Sequence, residues 1–256
     1  EMGREIVAKE YPELTDLKSH LYLVNSAPVL LPPMSEKAQH EAYAVLNKLG
    51  AKIILNAKVI DYVSGNVQLS TGETIATDTL IWTSGVVAVH VEGLPGDAVA
   101  RGGRIHVDAF NRVLHTESIF ALGDQCLLTA DKNYPEGHPQ VAQVAIQQGR
   151  LLGKNLSRLV DGKPMKPFAY RNKGTMAIIS KYRAVADLPK GFLRGSIAWV
   201  SWLFVHIIPL ISFRNKLVLA TNWAWSFVTN DPTLRLILRP NKEEEVSSVK
   251  DCEQEG

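Results

Sequence analysis

The sequence predicts an α/β fold of parallel strand–helix units with hairpin insertions, followed by a basic, apolar helical region. Three observations carry this. Short apolar β-type runs alternate with helical runs over residues 1–160. Two turn triplets, SGN at 64–66 and TGE at 71–73, sit between short strand-like runs. The most apolar stretch, GSIAWVSWLFVHIIPLISFRNK at 195–216, comes late and is flanked by Arg194, Arg214 and Lys216.

Taken in order, HLYLV at 20–24 reads as a strand. Ser35 can cap a helix running to Leu49, with Ala38, Ala42, Val45, Leu46 and Leu49 on one face and Gly50 as the stop. KIIL at 52–55 is the next strand, which makes the first unit βαβ. The runs DYV, VQLS and TIA form hairpins through the two triplets. DTLIWTSGV at 78–86 is expected to be a strand ending at Gly85, and RIHVD at 104–108 a short one. SIFAL at 118–122 is expected to be a strand that stops at Gly123-Asp124. A helix from Val141 to Leu159 closes at Asp161-Gly162.

In parallel sheets, ligands bind beyond the carboxyl ends of the strands. Asn25, Gly85 and Asp124 each fall within a residue or so of such an end. A carboxylate only accepts hydrogen bonds, so Asp124 suits the hydroxyls of a ribose or ribitol, while a pyrophosphate needs backbone N–H groups. The alternative is a plain turn aspartate. Gln143 and Gln147 are i, i+4 neighbours on the following helix, where Ala142, Ala145 and Gly149 keep the surface thin enough for a flat ring. The alternative there is an exposed polar stripe. The glycine-rich GxGxxG fingerprint is absent, so if the chain belongs to a dinucleotide enzyme, its phosphate-binding half is expected upstream of residue 1.

The net charge of +2 is unevenly spread. Residues 163–240 hold twelve Lys or Arg and two acids, a balance of +10. The last sixteen residues hold six acids and two lysines and read as a solvated tail. Two distant cysteines, Cys126 and Cys252, build neither a dithiol centre nor a metal knuckle, and no metal is expected. The start, EMGREIVAKEYPEL, resembles neither a signal nor a transit peptide and reads as the charged end of a helix that begins earlier.

ALGD (121–124), AQVAIQQG (142–149), NKGTMAIIS (172–180) and AVADL (184–188), with YPEL and LIWTSGV before them, resemble the second half of type II NADH:quinone oxidoreductases. The resemblance runs from near the start to about Pro240 and implies an incomplete tandem Rossmann-like (FAD/NAD(P)-binding) fold with a membrane-associating helical end. It implies FAD and NADH as cofactors and a quinone as substrate. Gly123 and Asp124 would meet the FAD ribitol. Ala142 and Gln143 would lie beside the isoalloxazine ring, and Gln147 would shape the quinone site. Lys173 and Met176 would sit near the flavin and the quinone passage, and Gly85 by the nicotinamide side. Asn25 stands where the family has an acid on the adenosine ribose, which leaves the choice between NADH and NADPH open.

The expected organisation is the remainder of the NAD(H) domain at 1–86, the end of the FAD domain at 87–162, a membrane-anchoring region at 163–240 and the tail at 241–256. Without the missing half, the chain alone is not expected to be a competent enzyme. The 17 residues from Ile197 to Phe213 carry no formal charge and include Pro209, which suits a monotopic anchor better than a spanning helix. Four of the five tryptophans lie there or just beyond, at 199, 202, 223 and 225. A buried core or dimer helix is the alternative. Anionic membrane lipid and a second copy of the chain are the expected partners, and nucleic acid is not. The expected location is peripheral, on the cytoplasmic side of the inner membrane or an equivalent respiratory membrane. Another flavin reductase of the superfamily, or a non-catalytic membrane-binding fragment, remain the competing functions.

Overall fold

The computed structural model describes residues 20–83, 85–89, 91–100, 102–208 and 212–229. The charged start, the acidic tail and Pro209 lie outside the described residues. Two compact units divide the chain, Glu1–Trp199 and Val200–Gly256.

The first unit opens as β1 (Tyr22–Val24), α1 (Glu36–Lys48) and β2 (Lys52–Ile54), with β1 and β2 paired in parallel. The Ser35 hydroxyl accepts the Ala38 N–H, which caps α1 at its start. Gly50, at φ +85°, takes the left-handed conformation just past the end of the helix. Two hairpins then form one antiparallel sheet from β3 (Val59–Val63), β4 (Asn66–Leu69) and β5 (Thr74–Ala76). Val67, Leu69 and Ile75 bury one face of it against Tyr22, Val24 and Ile54, so the hairpins close over the βαβ unit. All of these elements follow the sequence signals.

The expected strand at 78–86 does not form a ladder. Residues 79–83 and 85–89 are irregular, with Ile81, Trp82, Val86 and Val87 exposed. A parallel strand takes its partners from distant segments, and no described residue pairs with this one. The segment is instead stitched along its later part, where the Ala88 N–H donates to the Gly102 carbonyl (3.3 Å).

β6 (Ile105–Val107) and β7 (Cys126–Leu128) make a second parallel pair. The expected strand at 118–122 also needs correcting. Phe120 forms only an isolated bridge with Arg112, and the true strand begins after Asp124. Gly123, at φ +65°, turns the chain into a single 3₁₀ turn, Gly123–Gln125, before it extends again. Asp124 therefore stands ahead of a strand rather than at the end of one. α2 (Ala142–Val160) follows, and its Val144 joins Val107, Val113, Leu128 and Phe168 in the main core.

Beyond α2 come three antiparallel strands, β8 (Thr175–Ser180), β9 (Arg183–Leu188) and β10 (Gly191–Arg194), with β9 central. One face of this sheet packs on α1: Met34 and Ala38 meet Val185, with Ala177, Ile179 and Phe192 around them. The other face holds Ala184, Ala186 and Met176 against Ala198 and Trp199 at the start of α3 (Gly195–Ile207). In the second unit, Trp202 stacks on His206 (4.0 Å between ring centres) and lies 6.1 Å from Trp223 of α4 (Phe213–Thr229). Among the described residues no helix is long and apolar enough to cross a membrane.

Candidate functional site

The Gly123–Gln125 turn is held from two directions. Gln148, fully buried on α2, accepts the Gly123 N–H through Oε1 (2.7 Å). Gln140 donates from Nε2 to the Asp124 carbonyl (3.0 Å). Gly123 also lies close on the helix: a Cβ there would sit 3.1 Å from the Ala145 Cβ, so both small residues are needed for the approach. The Asp124 carboxylate is exposed and bonds to no described residue. A fixed backbone thus presents an unengaged acceptor.

α2 begins at Ala142, two residues after Gln140, with no side-chain cap; the Val144 N–H bonds back to the Val141 carbonyl, and the Ala142 and Gln143 N–H groups bond to no described residue. Ala142 is itself exposed. A free carboxylate for hydroxyls, a close-packed glycine turn and an uncapped helix start fit the sugar chain and ring of a flavin. Gln125 of the same turn donates to the Val89 carbonyl (3.3 Å), which brings the irregular segment containing Gly85 to this edge. Gly85 is exposed at φ +89° with open space around it.

Gln143 and Gln147 do something the sequence did not suggest. Gln143 donates to the Gly174 carbonyl (2.9 Å) and accepts the Lys173 N–H (3.1 Å). Gln147 donates to the Arg171 carbonyl and accepts the Arg171 N–H (both 3.0 Å). Four residues of helix rise about 6 Å, and two residues of extended chain span about 6.6 Å. The spacings match, so two side-chain amides receive residues 171–174 as a neighbouring strand would. Lys173 is left exposed, while Met176 is half-buried in the sheet among Ala184, Ala186 and Ala198. Asn25 sits away from this cluster, at the end of β1. Its side-chain amide donates to the Val29 carbonyl (2.9 Å), which shapes the loop after the strand.

Several site-building residues escaped the sequence reading. Gln148 is one, although it stands beside Gln147 in the same motif. Another is the buried pair Asp131–His138 (3.0 Å) in the loop before α2, ringed by Tyr134, Phe168 and Tyr170. The hydrogen bond from His138 holds the Asp131 carboxyl below its usual range. Burial pushes the Cys126 thiol up from its ordinary value. Among the described residues no group of three His, Cys, Asp or Glu side chains could hold a metal ion.

Residues 7–149 match the family model described as pyridine nucleotide-disulphide oxidoreductase. The chain belongs to that family. Residues 172–230 match a second model, the NDH2 C-terminal domain, which bears out the resemblance to type II NADH:quinone oxidoreductases. Two relatives from Mycobacterium tuberculosis carry that name. NdhA is 31% identical over 241 residues, covering 89% of this chain and 50% of its own. Ndh is 30% identical over 237 residues, covering 90% and 50%. The chain spans about half the length of the curated relatives it matches. In fold, it superposes on the Plasmodium falciparum NDH2 solved in complex with NADH. The TM-score is 0.80 at 16% identity, over 91% of this chain and 63% of that one. This member of the pyridine nucleotide-disulphide oxidoreductase family therefore has the family's mixed α/β architecture.

Proposed function

We propose that these residues form the second half of a flavoprotein that carries electrons from NADH through FAD to a membrane quinone. The carrying observation is the unengaged Asp124 carboxylate on a turn locked to α2, beside a helix start lined by Ala142 and the two clamping glutamines. FAD, when bound, would supply the redox chemistry between the nicotinamide and the quinone. This chain's residues bind and orient. Asp124 accepts hydrogen bonds from ribitol hydroxyls, and Gly123 lets the ligand backbone approach. Asn25 hydrogen-bonds the adenosine ribose, and Gly85 gives the nicotinamide room.

Gln143 and Gln147 fix the wall of the quinone site by holding residues 171–174. A carboxamide moves no protons, so Lys173 is the one of these three able to carry a proton at this wall. Met176 backs the passage from the sheet side. Residues 1–86 serve the nicotinamide cofactor, 87–162 the flavin, 163–240 the membrane and 241–256 form the tail. The apolar outer surfaces of α3 and α4, within a chain region of net +10, favour docking on an anionic leaflet of a respiratory membrane, on its cytoplasmic side. A second copy of the chain is the expected protein partner.

The test uses the full-length protein that contains these residues, purified with membranes. A yellow protein whose NADH oxidation depends on a quinone analogue is the expected result, with flavin content lowered by Asp124→Ala. A colourless protein with no quinone-dependent oxidation overturns the reading.

A further inference from the structure

The Asn172–Thr175 segment is gripped from two sides, and only one grip belongs to α2. On the α2 side, Gln143 holds the Lys173 N–H and the Gly174 carbonyl. On the other side lies Asp187 of β9, paired in register with Thr175. Gly174, at φ +104°, is so close to this strand that a Cβ on it would collide with the Asp187 carbonyl. The Asp187 side chain then reaches 152 positions back in sequence. Oδ2 accepts the Ser35 N–H (2.7 Å) and Oδ1 accepts the Ser35 hydroxyl (2.6 Å).

Ser35 is the N-cap of α1, so both groups that start that helix are tied to the strand behind Gly174. A charged acceptor makes such bonds stronger than neutral ones. The buried contact of Ala38 with Val185 leaves α1 little freedom beneath them. A second tie on the same seam, Arg194 to Glu41 (2.9 Å), joins exposed Arg194 to α1 without touching the Gly174 segment.

We propose that Asp187 is a positioning residue, which fixes Lys173 and Gly174 against Gln143 by anchoring β9 to the start of α1. Asp187 does not touch the reacting groups. Its effect on quinone reduction rests on the proposed function above, because the segment it fixes is the wall assigned there to the quinone.

The experiment compares Asp187→Ala, Asp187→Asn, Ser35→Ala and Arg194→Ala in the flavin-loaded full-length protein. Backbone hydrogen exchange of residues 171–176 is the first readout. Asp187→Ala speeds that exchange about thirtyfold or more, the factor expected from losing two hydrogen bonds to a charged acceptor. Ser35→Ala keeps only the bond from its N–H and Asp187→Asn keeps only neutral partners, so both give values between wild type and Asp187→Ala. Arg194→Ala leaves it unchanged, which separates positioning from general weakening of the seam. The second readout is steady-state kinetics. In Asp187→Ala the KM for a short-chain quinone analogue rises several-fold, while NADH oxidation with ferricyanide is unchanged. Exchange at the wild-type rate in Asp187→Ala and Asp187→Asn, or equal acceleration by Arg194→Ala, overturns the proposal. Loosened exchange with an unmoved quinone KM overturns its functional half, with flavin content and ferricyanide turnover intact. A wild-type protein without flavin or NADH oxidation instead overturns the reading of function, and the exchange result still decides the positioning.

Discussion

α1 and α3 are equally long, and they meet their surroundings in opposite ways. α1 buries Ala38, Ala42 and Val45 on one side and turns Glu36, Lys37, His40 and Lys48 outward. α3 is apolar almost all round. It buries Ala198 but leaves Ile197, Val200, Phe204 and Val205 exposed. α1 finds its apolar partner inside the chain, in Val185 and its neighbours. Among the described residues α3 keeps a larger exposed apolar surface than α1 does. The two helices thus differ in their outward faces more than in their buried ones.

The comparison breaks most sharply if a charge is placed on each helix. Val45→Asp puts a carboxylate into the core under α1 and is expected to cost about 3–5 kcal/mol, the usual result of an uncompensated buried charge. Urea denaturation measures it, and a loss below about 1 kcal/mol contradicts the assigned core. The next effect is at a buried polar contact. Gln148→Ala leaves the Gly123 N–H without its acceptor and is expected to lower stability by about 1–3 kcal/mol, with weaker flavin retention read by absorbance after gel filtration. Phe204→Asp is the counterpart on α3. It is expected to change stability by no more than about 0.5 kcal/mol. Binding to vesicles of mixed anionic lipid is expected to fall about tenfold, since an apolar anchor becomes a charge on a negative surface. Unchanged vesicle binding removes the membrane role from α3.

The smallest effect is a matter of pH. Asp131 has its carboxyl held below the ordinary value of 3.8 by His138, so the pair adds stability above that value. The contribution is lost as pH falls below 3.8 and through the lower folded value. Denaturant midpoints of wild type and Asp131→Asn should therefore converge as pH drops from 6 toward 3, a window of about three units chosen to bracket that change. A constant gap across the range assigns the difference to packing.

What could be read in the sequence was local. Ser35, Gly50 and the SGN and TGE triplets each act within a few residues, and β1 to β5 with α1 came out as expected. The segment at 78–86 was misread because its apolar residues state a preference for burial without naming a partner. Ser118–Leu122 was misread because apolar character alone does not fix where a ladder starts, and Gly123 moved it beyond Asp124. β9 showed no alternation, since Ala184, Val185 and Ala186 are all buried. Within the site, Gln143 and Gln147 were visible by spacing. Gln148 carries no such local signal, because its partner, Gly123, is 25 positions away. The bond between Ser35 and Asp187 left no mark that a reading of neighbours could find.

The glutamine clamp has a consequence for what can vary. Gln143 and Gln147 recognise only main-chain atoms of residues 171, 173 and 174. The docking therefore does not depend on the side chains at 171 and 173: charge, size and aromaticity can change there while the main-chain bonds stay the same. Only proline is barred, for want of its N–H, and Gly174 is barred from change by the carbonyl behind it. The surface at residues 171 and 173 can thus change with no rebuilding of the frame that holds them.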